Sequence, residues 1–381
     1  MLKIKLHFSL LYFIQGGILS YIMIFQKPYL NSIGISKDQI AILSSSLLIP
    51  FIIKIFFGTL SDKFGSKRFG HRLPYMFIGL LLSAVAFLLC SYFTPDKNFN
   101  LYFAFILMCS FAIALFDSAT DGLAVDITPK SEQGSVQSFM IAGRAAGVIL
   151  LSLGIGYISQ NYGFSKLFLF LCALLIVPLI SLYSLKDNRS VTEDFTADLS
   201  IVKNKEFLLT VAFAISSSFV CLGADGIISL YLSEVFSLTQ TDIGSYGASR
   251  GVGAVVGALI AGIILQKSKT MGVFRFSLVF VFLGLTLLGF LLNQNNYLLI
   301  ASVWGLIYSF QDVCLLTLAM RSITGSHSAF AFSLLMASAN IGIAIGEGVA
   351  TTLTQSYSYS NVFLILGCFL LIPYGLLRKL D

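Results

Sequence analysis

Two aspartates in the fourth strongly apolar stretch of the chain carry the clearest chemical signal. Asp117 and Asp121 are four positions apart, which places them on one face of a helix. Two neighbouring carboxylates in a medium of low dielectric constant cannot both ionise cheaply, so one of them is expected to hold a proton near neutral pH. Arg144, in the next apolar stretch, is the expected counter-ion of Asp121. The pattern predicts proton binding at Asp117 and Asp121, with Arg144 released to an anionic solute when Asp121 is protonated.

A purely structural role for these charges is the alternative. A fixed ion pair between Asp121 and Arg144 would dock two helices and do no chemistry. Asp126 lies further along the same stretch, and we expect it to pair with a loop cation such as Lys130. Lys54 is expected to extend its ammonium group to the inner membrane interface rather than to contact a solute.

Four further charged residues fall within apolar stretches of the second half of the chain: Asp225, Arg250, Asp312 and Glu347. Charges inside a membrane are costly, and their retention points to function. Arg250 is the best candidate for an anion-binding cation because a guanidinium stays charged when poorly solvated. Its neutralisation by Asp225 or Glu347 is an equally good interpretation. We therefore predict a substrate-binding set of Arg144, Arg250, Asp312, Glu347 and Asp225.

The polar segment after the second apolar stretch combines glycines with charges: Gly58, Asp62, Lys63, Gly65, Lys67 and Arg68. Glycine permits a tight turn. Asp62 and the nearby cations are able to form an ion pair that opens and closes. We predict a gating loop here, and an ordinary basic loop is the simpler alternative.

The elements that position these residues follow from composition. The chain has 381 residues, of which 57% are hydrophobic and 11% charged, whereas soluble domains average about 25% charged residues. Its apolar stretches approach the ~20 residues that cross a bilayer as a helix. The sequence predicts an all-α integral membrane protein with about twelve transmembrane helices, including spans near 8–30, 39–60, 135–159 and 166–185. The net charge of +6 follows from basic loops and requires no nucleic acid.

No set of residues in the sequence points to catalytic or cofactor chemistry. The six cysteines occur singly within apolar stretches, and the three histidines, His7, His71 and His327, cannot assemble a zinc site. The zinc-protease HExxH motif is absent, as is a nucleotide-binding loop. We expect no enzyme activity, no metal and no cofactor.

The two halves of the sequence resemble each other. A shift of 195 positions superposes several identical residues: Tyr102 on Tyr297, Asp117 on Asp312 and Gly147 on Gly342. A shift of 204 positions superposes Asp38 on Asp242 and Lys63 on Lys267. The duplication predicts two pseudo-symmetric six-helix bundles, residues 1–185 and 207–381, joined by a polar linker at 186–206. Most lysines and arginines fall in segments that are cytoplasmic if both termini are cytoplasmic, which predicts that orientation.

The segment 58–68, Gly-x-x-x-Asp-Lys-x-Gly followed by basic residues, resembles the loop signature of the major facilitator superfamily. The resemblance implies the major facilitator fold, a central cavity between two bundles and secondary transport by alternating access. A monomer is that family's usual state.

A narrower resemblance covers two stretches. Segment 50–58 followed by Asp62 is similar to the Pro-Tyr-x-x-Lys-Phe…Asp-Arg pattern of the muropeptide permease and acetyl-CoA transporter group. Segment 119–125, with Gly134 and Gly143-Arg144 after it, resembles that group's fourth and fifth spans. Single-component siderophore importers share these elements and are compact twelve-span proteins, so chain length favours their branch.

These resemblances imply a multi-pass transporter of the cell inner membrane, coupled to protons, that imports a bulky polar organic solute. A ferric siderophore is the leading expectation. A muropeptide or another anionic metabolite is the alternative substrate. A non-transporting membrane assembly factor is the alternative class, although it would not need paired carboxylates and arginines within its spans.

Overall fold

The computed structural model describes residues 1–66, 70–129, 132–182, 185, 204–267, 270–322 and 328–380. Apart from one isolated bridge between Ser66 and Gly70, every regular element in these residues is helical. Helices suit an apolar solvent because they satisfy their own backbone hydrogen bonds. The all-α prediction is therefore confirmed for the described residues.

The chain divides into two compact units, each described by itself. The first unit comprises Met1–Met23 and Ile53–Phe195, and the second comprises Ile24–Ile52 and Thr196–Asp381. Helices of the first unit are α1 (Leu2–Ser20), α5 (Lys54–Lys63), α6 (Leu73–Tyr92), α7 (Phe99–Ile127), α8 (Gln133–Leu174) and α9 (Ile176–Leu182). Helices of the second unit are α2 (Gln26–Ser32), α3 (Lys37–Ser46), α4 (Ile49–Ile52), α10 (Lys205–Val235), α11 (Gln240–Lys267), α12 (Thr270–Phe290), α13 (Tyr297–Arg321), α14 (Ser328–Leu353), α15 (Tyr359–Phe369) and α16 (Leu371–Leu380).

Ten helical segments of the described residues are long and apolar enough to cross a membrane. The predicted spans 135–159 and 166–185 appear as one continuous segment, Ser135–Leu182, although Gly163 breaks the helix with a φ of 80°. The predicted span 39–60 consists of α3, α4 and α5, each too short to be counted. These two differences account for ten segments where about twelve spans were predicted.

Proline accounts for the irregular helices near the first two spans. Pro28 has no N–H to donate to the carbonyl of Ile24, and a π-helical turn, Tyr21–Phe25, lies there between α1 and α2. Pro50 likewise lies in the short helix α4, between the breaks that separate it from α3 and α5. Both interruptions follow from the missing proline donor.

Close backbone contacts at glycine join helices within each unit. A Cβ atom on Gly147 of α8 would lie 2.0 Å from the carbonyl oxygen of Phe13 in α1. A Cβ atom on Gly342 of α14 would lie 2.2 Å from the carbonyl oxygen of Ile215 in α10. Such distances exclude any side chain, so both helix pairs require glycine, as small-residue packing in membranes commonly does. These glycines are the pair that the 195-residue shift superposes.

A cluster of buried aromatic rings packs together within the first unit. Tyr21 and Tyr102 share a hydrogen bond of 2.7 Å between their hydroxyl groups. Phe168 lies edge-on to Tyr21, with 5.4 Å between ring centroids, and Phe87 lies at 6.1 Å. All four side chains are fully buried. The hydroxyl pair satisfies two polar groups that would otherwise be costly in an apolar core.

Candidate functional site

The first unit gathers the predicted charges of α7 and α8 into one cluster. Its charged members are Lys54 of α5, Asp117 and Asp121 of α7, and Arg144 of α8. These two cations and two carboxylates sum to zero charge. We call this set, with the polar side chains of α1 that contact it, the first-unit charge cluster.

Asp117 lies at the buried centre of the first-unit charge cluster. Its side chain is 7% exposed and contacts the ammonium group of Lys54. Its other oxygen accepts from Arg144 Nη2 at 2.9 Å and from Gln15 Nε2 at 2.6 Å. Two cations and an amide donor compensate the burial of this carboxylate.

Asp121 is the more open carboxylate of the cluster. Its side chain is 42% exposed, and its Oδ2 accepts from Lys54 Nζ at 2.7 Å. Its Oδ1 accepts a hydrogen bond from the Tyr12 hydroxyl group. A solvent proton therefore reaches Asp121 more readily than Asp117.

Arg144 is held by α1 as well as by Asp117. Its Nη2 donates to Gln15 Oε1 at 2.8 Å, and its guanidinium carbon lies 4.5 Å from the ring centroid of Tyr12. The side chain is 39% exposed, and its Nε atom has no hydrogen-bond partner among the described residues. Arg144 thus keeps donor capacity that its own unit does not use.

Two expectations about these charges were wrong. The expected pair of Asp121 with Arg144 does not occur, because Arg144 contacts Asp117 one helical turn away. Lys54 does not extend away toward the interface, because the two carboxylates attract its ammonium group more strongly than water at the helix end does. Lys54 is therefore part of the cluster, and it joins α5 to α7.

A separate ion pair lies in the second unit between α10 and α11. Arg250 Nε donates to Asp225 Oδ1 at 2.6 Å, and Arg250 Nη2 donates to Oδ2. Trp304 Nε1 of α13 also donates to Asp225 Oδ1, at 2.8 Å. The guanidinium carbon lies 4.3 Å from the ring centroid of Tyr308. Arg250 is therefore neutralised by Asp225, one of the two interpretations that the sequence left open.

Glu347 does not join Arg250. It accepts from Lys27 Nζ at 2.9 Å, and Lys27 also donates to the backbone oxygen of Gly226 at 2.8 Å. The Lys27 side chain is only 2% exposed. The Glu347 carboxylate, on a side chain that is 12% exposed, holds the Lys27 ammonium group inside the second unit.

Asp312 has a different environment from its counterpart Asp117. It lines a recess of the second unit with Ser217, Ser218, Tyr308 and Gln311. None of the residues that the structure describes forms an ion pair or a hydrogen bond with its carboxylate. The predicted substrate-binding residues of the second half thus fall in three places: the Asp225 pair, the Glu347 pair and this recess.

Part of the predicted gating loop can be located. Gly58 and Lys63 belong to α5, and Gly65 packs against the ring of His71. Lys67 and Arg68 lie outside the described residues, as does the side chain of Asp62. The role of this loop stays a prediction.

A buried arginine that the sequence did not single out lies beside this loop. Arg72 contacts the Ser61 hydroxyl group and donates to Asp126 at 3.2 Å. Asp126 therefore pairs with Arg72, whereas Lys130, the cation expected for it, lies outside the described residues. The ion pair connects the start of α6 with the end of α7.

Metal ligation finds no support in the described part of the chain. No group of three or more His, Cys, Asp or Glu side chains there is arranged to hold a metal ion. The six cysteines are free thiols, and four of them are buried.

Comparison with known proteins decides the family. The model of the Major Facilitator Superfamily matches residues 8–327 and 207–377. The chain belongs to the major facilitator superfamily. It is a multi-pass membrane transporter and not an enzyme, and the resemblance of its 58–68 loop to the superfamily signature is confirmed at that level.

Two curated relatives narrow the comparison. The chain is 26% identical over 347 residues to "Putative transporter AmpG 1" of Rickettsia conorii (strain ATCC VR-613 / Malish 7), a match covering 84% of this chain and 78% of that protein. It is 27% identical over 188 residues to "Probable folate-biopterin transporter 9, chloroplastic" of Arabidopsis thaliana, covering 47% of this chain and 34% of that protein. Neither of these two is named for a siderophore.

A solved structure shares the fold. The crystal structure of a D-xylose–proton symporter superposes with a TM-score of 0.79, covering 99% of this chain and 97% of that one, at 14% identity. Identity this low shows a common fold and nothing about the solute. The predicted major facilitator fold is confirmed.

Several residues of the site escaped the sequence interpretation. Tyr12 and Gln15 lie in the first apolar stretch, where polar side chains gave no periodic signal. Trp304 is the one tryptophan of the chain, and its N–H requires a partner when buried. A systematic search for polar groups within apolar stretches would have found all three.

Proposed function

We propose that the protein is a proton-coupled symporter of the inner membrane that imports a bulky anionic organic solute by alternating access. The first-unit charge cluster is the observation that carries the proposal. Four charges among the helices of a membrane protein are expensive and need a functional reason beyond docking, because apolar side chains would dock the same helices at lower cost.

Charge balance in the cluster couples the proton to the solute. The empty cluster is neutral, with Lys54 and Arg144 facing Asp117 and Asp121. A proton on Asp121 removes one negative charge and leaves a net charge of +1. An anionic group of the solute restores neutrality when it binds, so each ligand favours the binding of the other.

Arg144 is the proposed first contact of that anionic group. Its guanidinium, with the side chain 39% exposed, can donate to a carboxylate or phosphate oxygen. Lys54 supports it once protonation of Asp121 frees part of its ammonium group. Asp117 keeps both cations in place and does not itself exchange the proton.

The solute is proposed to be a muropeptide or a related anionic metabolite rather than a ferric siderophore. The resemblance of segments 50–58 and 119–125 to the muropeptide permease group supports this class. The name of the folate-biopterin relative fits an anionic solute as well, because folates carry carboxylates. Arg250, Asp225 and Glu347 are proposed to shape the second unit through their ion pairs, and the Asp62 loop to act in gating.

Uptake by whole cells tests the proposal. Cells with and without the gene are given a radiolabelled muropeptide or a siderophore loaded with radioactive iron, each with and without a protonophore. We expect gene-dependent, protonophore-sensitive accumulation of the muropeptide. Asp121→Asn should abolish accumulation against a gradient, and Arg144→Gln should weaken solute affinity about tenfold or more.

Asp96→Asn is the matched control, because Asp96 is an exposed aspartate in the turn before α7. It should leave uptake unchanged. Gene-dependent accumulation that a protonophore does not affect would contradict proton coupling. Uptake of the iron-loaded siderophore alone would restore the siderophore prediction, and uptake of neither probe would refute both proposed substrates.

A further inference from the structure

The recess beside Asp312 is built within the second unit alone. Ser217 and Ser218 enter it from α10, and Tyr308, Gln311 and Asp312 enter it from α13. The recess shares no residue with the first-unit charge cluster or with the Lys27–Glu347 pair. It contains five polar side chains and a single formal charge, the Asp312 carboxylate.

That carboxylate lacks the cations that its counterpart has. The sequence shifts that superpose the two halves place Ala258 at the position of Lys54 and Ala339 at the position of Arg144. Arg250 is not available to replace them, since its guanidinium is held at two points by Asp225. Asp312 itself is exposed in the structure, so its uncompensated carboxylate is open to a cation.

Two buried polar atoms in the same recess also lack partners. Ser217 Oγ and Gln311 Nε2 have no hydrogen-bond partner among the described residues. The two side chains are 1% and 3% exposed, respectively. Buried polar groups are nearly always satisfied, so two unsatisfied ones beside an unpaired carboxylate point to a missing ligand.

The amide of Gln311 can present its oxygen to that ligand. The Ser277 hydroxyl group contacts Gln311 Oε1 and also lies 2.7 Å from the backbone oxygen of Phe274. A hydroxyl group has one hydrogen, so donation to Phe274 leaves Ser277 to accept from the amide nitrogen. The amide then turns its oxygen toward the recess.

We propose that this recess binds a monovalent cation, H⁺ or Na⁺, with Asp312 as the charged ligand and Ser217 and Gln311 as neutral oxygen ligands. The uncompensated carboxylate excludes an anion. Ser218 and Tyr308 supply two further hydroxyl oxygens. Oxygen atoms of this kind are the ligands of coupling ions in secondary transporters.

The other ionisable groups near Asp312 do not replace the cation. Cys221 of α10 lines the recess, Tyr308 lies over the Arg250 guanidinium, and Cys314 follows on α13. Thiols and phenols are neutral near pH 7 unless perturbed downward, and neither type carries positive charge. The Asp225–Arg250 pair nearby sums to zero charge. Asp312 therefore determines the charge of the recess.

The proposal deepens the proposed function and rests on it only for the role of the ion. If the protein imports a singly charged anion with one proton at Asp121, a second cation at Asp312 makes each transport cycle move one net positive charge inward. Ion binding itself does not depend on the identity of the solute. The two proposals can therefore fail separately.

Ion binding to the purified full-length protein in lipid nanodiscs is the test. One arm measures binding of radiolabelled Na⁺ and the shift of Tm when choline chloride is replaced by NaCl. The other arm records the infrared band of protonated carboxyl groups as the pH is changed. We expect one of the two signals in the wild type and its loss in Asp312→Asn.

If the ion is Na⁺, Ser217→Ala should weaken its binding about tenfold, since the change removes one oxygen ligand of a charged group. If the ion is H⁺, the same change should shift the pH at which the carboxyl band appears. Asp96→Asn should keep the wild-type signal. Asp312→Asn should fold, because it removes an unpaired charge, and Asp312→Glu provides a second variant that retains a carboxylate. The proposal is overturned if Asp312→Asn matches the wild type in both arms, or if it alters only the affinity for a radiolabelled muropeptide.

Discussion

Arg250 holds Asp225 at two points, with its Nε atom 2.6 Å from Oδ1 and its Nη2 atom in contact with Oδ2. The fork of a guanidinium matches the two oxygens of a carboxylate, which a lysine ammonium group cannot do. Arg250→Lys should therefore lower the free energy of unfolding by about 1.5–3 kcal/mol. Unfolding in detergent, followed by circular dichroism, measures the change.

Arg378→Lys is the control for that substitution. Arg378 is exposed near the end of α16, so its replacement should change stability by no more than about 0.5 kcal/mol. An Arg250→Lys variant as stable as the control would show that the two-point contact with Asp225 contributes little.

The Lys27–Glu347 pair should show strong energetic coupling. Lys27→Met leaves the Glu347 carboxylate buried without its cation, which should cost about 3–5 kcal/mol. Adding Glu347→Leu removes that uncompensated charge, so the double variant should be more stable than Lys27→Met alone. A double-mutant cycle on unfolding free energies measures the coupling, and additive single effects would contradict it.

The glycine contacts between helices make a prediction with an internal control. Gly147→Ala and Gly342→Ala should each destabilise the protein by about 1–3 kcal/mol, because a Cβ atom would overlap the facing carbonyl oxygen. Gly154→Ala, also in α8, places its Cβ atom in open space and should be neutral or stabilising by up to about 1 kcal/mol. Thermal unfolding of the three variants distinguishes close packing from helix propensity.

The two aspartates of α7 should differ in their effect on stability. Asp117→Asn leaves Lys54 and Arg144 without their shared buried carboxylate, and we expect a loss of about 3–5 kcal/mol. Asp121→Asn alters a half-open residue and should cost less, since Lys54 keeps Asp117. Unfolding free energies of both variants beside Asp96→Asn give the comparison, and equal losses would mean that the two carboxylates share the cations evenly.

A surface ion pair at the start of α8 should respond to pH. The hydrogen bond from Lys5, at 2.7 Å, lowers the pKa of the Glu132 carboxyl group. Because that pKa is lower in the folded protein, the pair stabilises the fold above the ordinary carboxyl pKa of about 4.3. The stabilisation is lost as the pH falls through the folded value.

A cycle of Lys5→Met and Glu132→Gln should therefore show a small coupling free energy near pH 7 and a smaller one near about pH 3. Exposure and salt both weaken such a pair. Coupling of the same size at both pH values would contradict the assignment of the pH dependence to Glu132.

The sequence predicted the helical class and the family because both depend on long apolar runs and a local motif. It placed Asp117, Asp121 and Arg144 in the membrane for the same reason. It did not predict which of them pair, since an ion pair depends on helix rotation and tilt that no local spacing determines. Lys54 shows this most clearly, because its position near a helix end favoured the interface until two carboxylates lay within its reach.

The recess at Asp312 illustrates a different limit. The duplication pairs Asp312 with Asp117 in the sequence, but the two carboxylates have different partners in the structure. The alanines at positions 258 and 339 were visible in the sequence, but their meaning required knowing that Lys54 and Arg144 are the partners of Asp117. Comparing the two halves therefore identifies the cations that Asp312 lacks only once the partners of Asp117 are known.

The distances along the chain between members of the first-unit charge cluster have a consequence for biosynthesis. Lys54 is made 63 residues before its partner Asp117, and Arg144 follows Asp117 by 27 residues. A charge that enters the bilayer alone costs about 2.5–3.5 kcal/mol at the helix centre on the insertion machinery's scale. The nascent chain must therefore carry an uncompensated lysine through the emergence of α6. Only when α8 leaves the ribosome can α1, α5 and α7 close around a neutral centre.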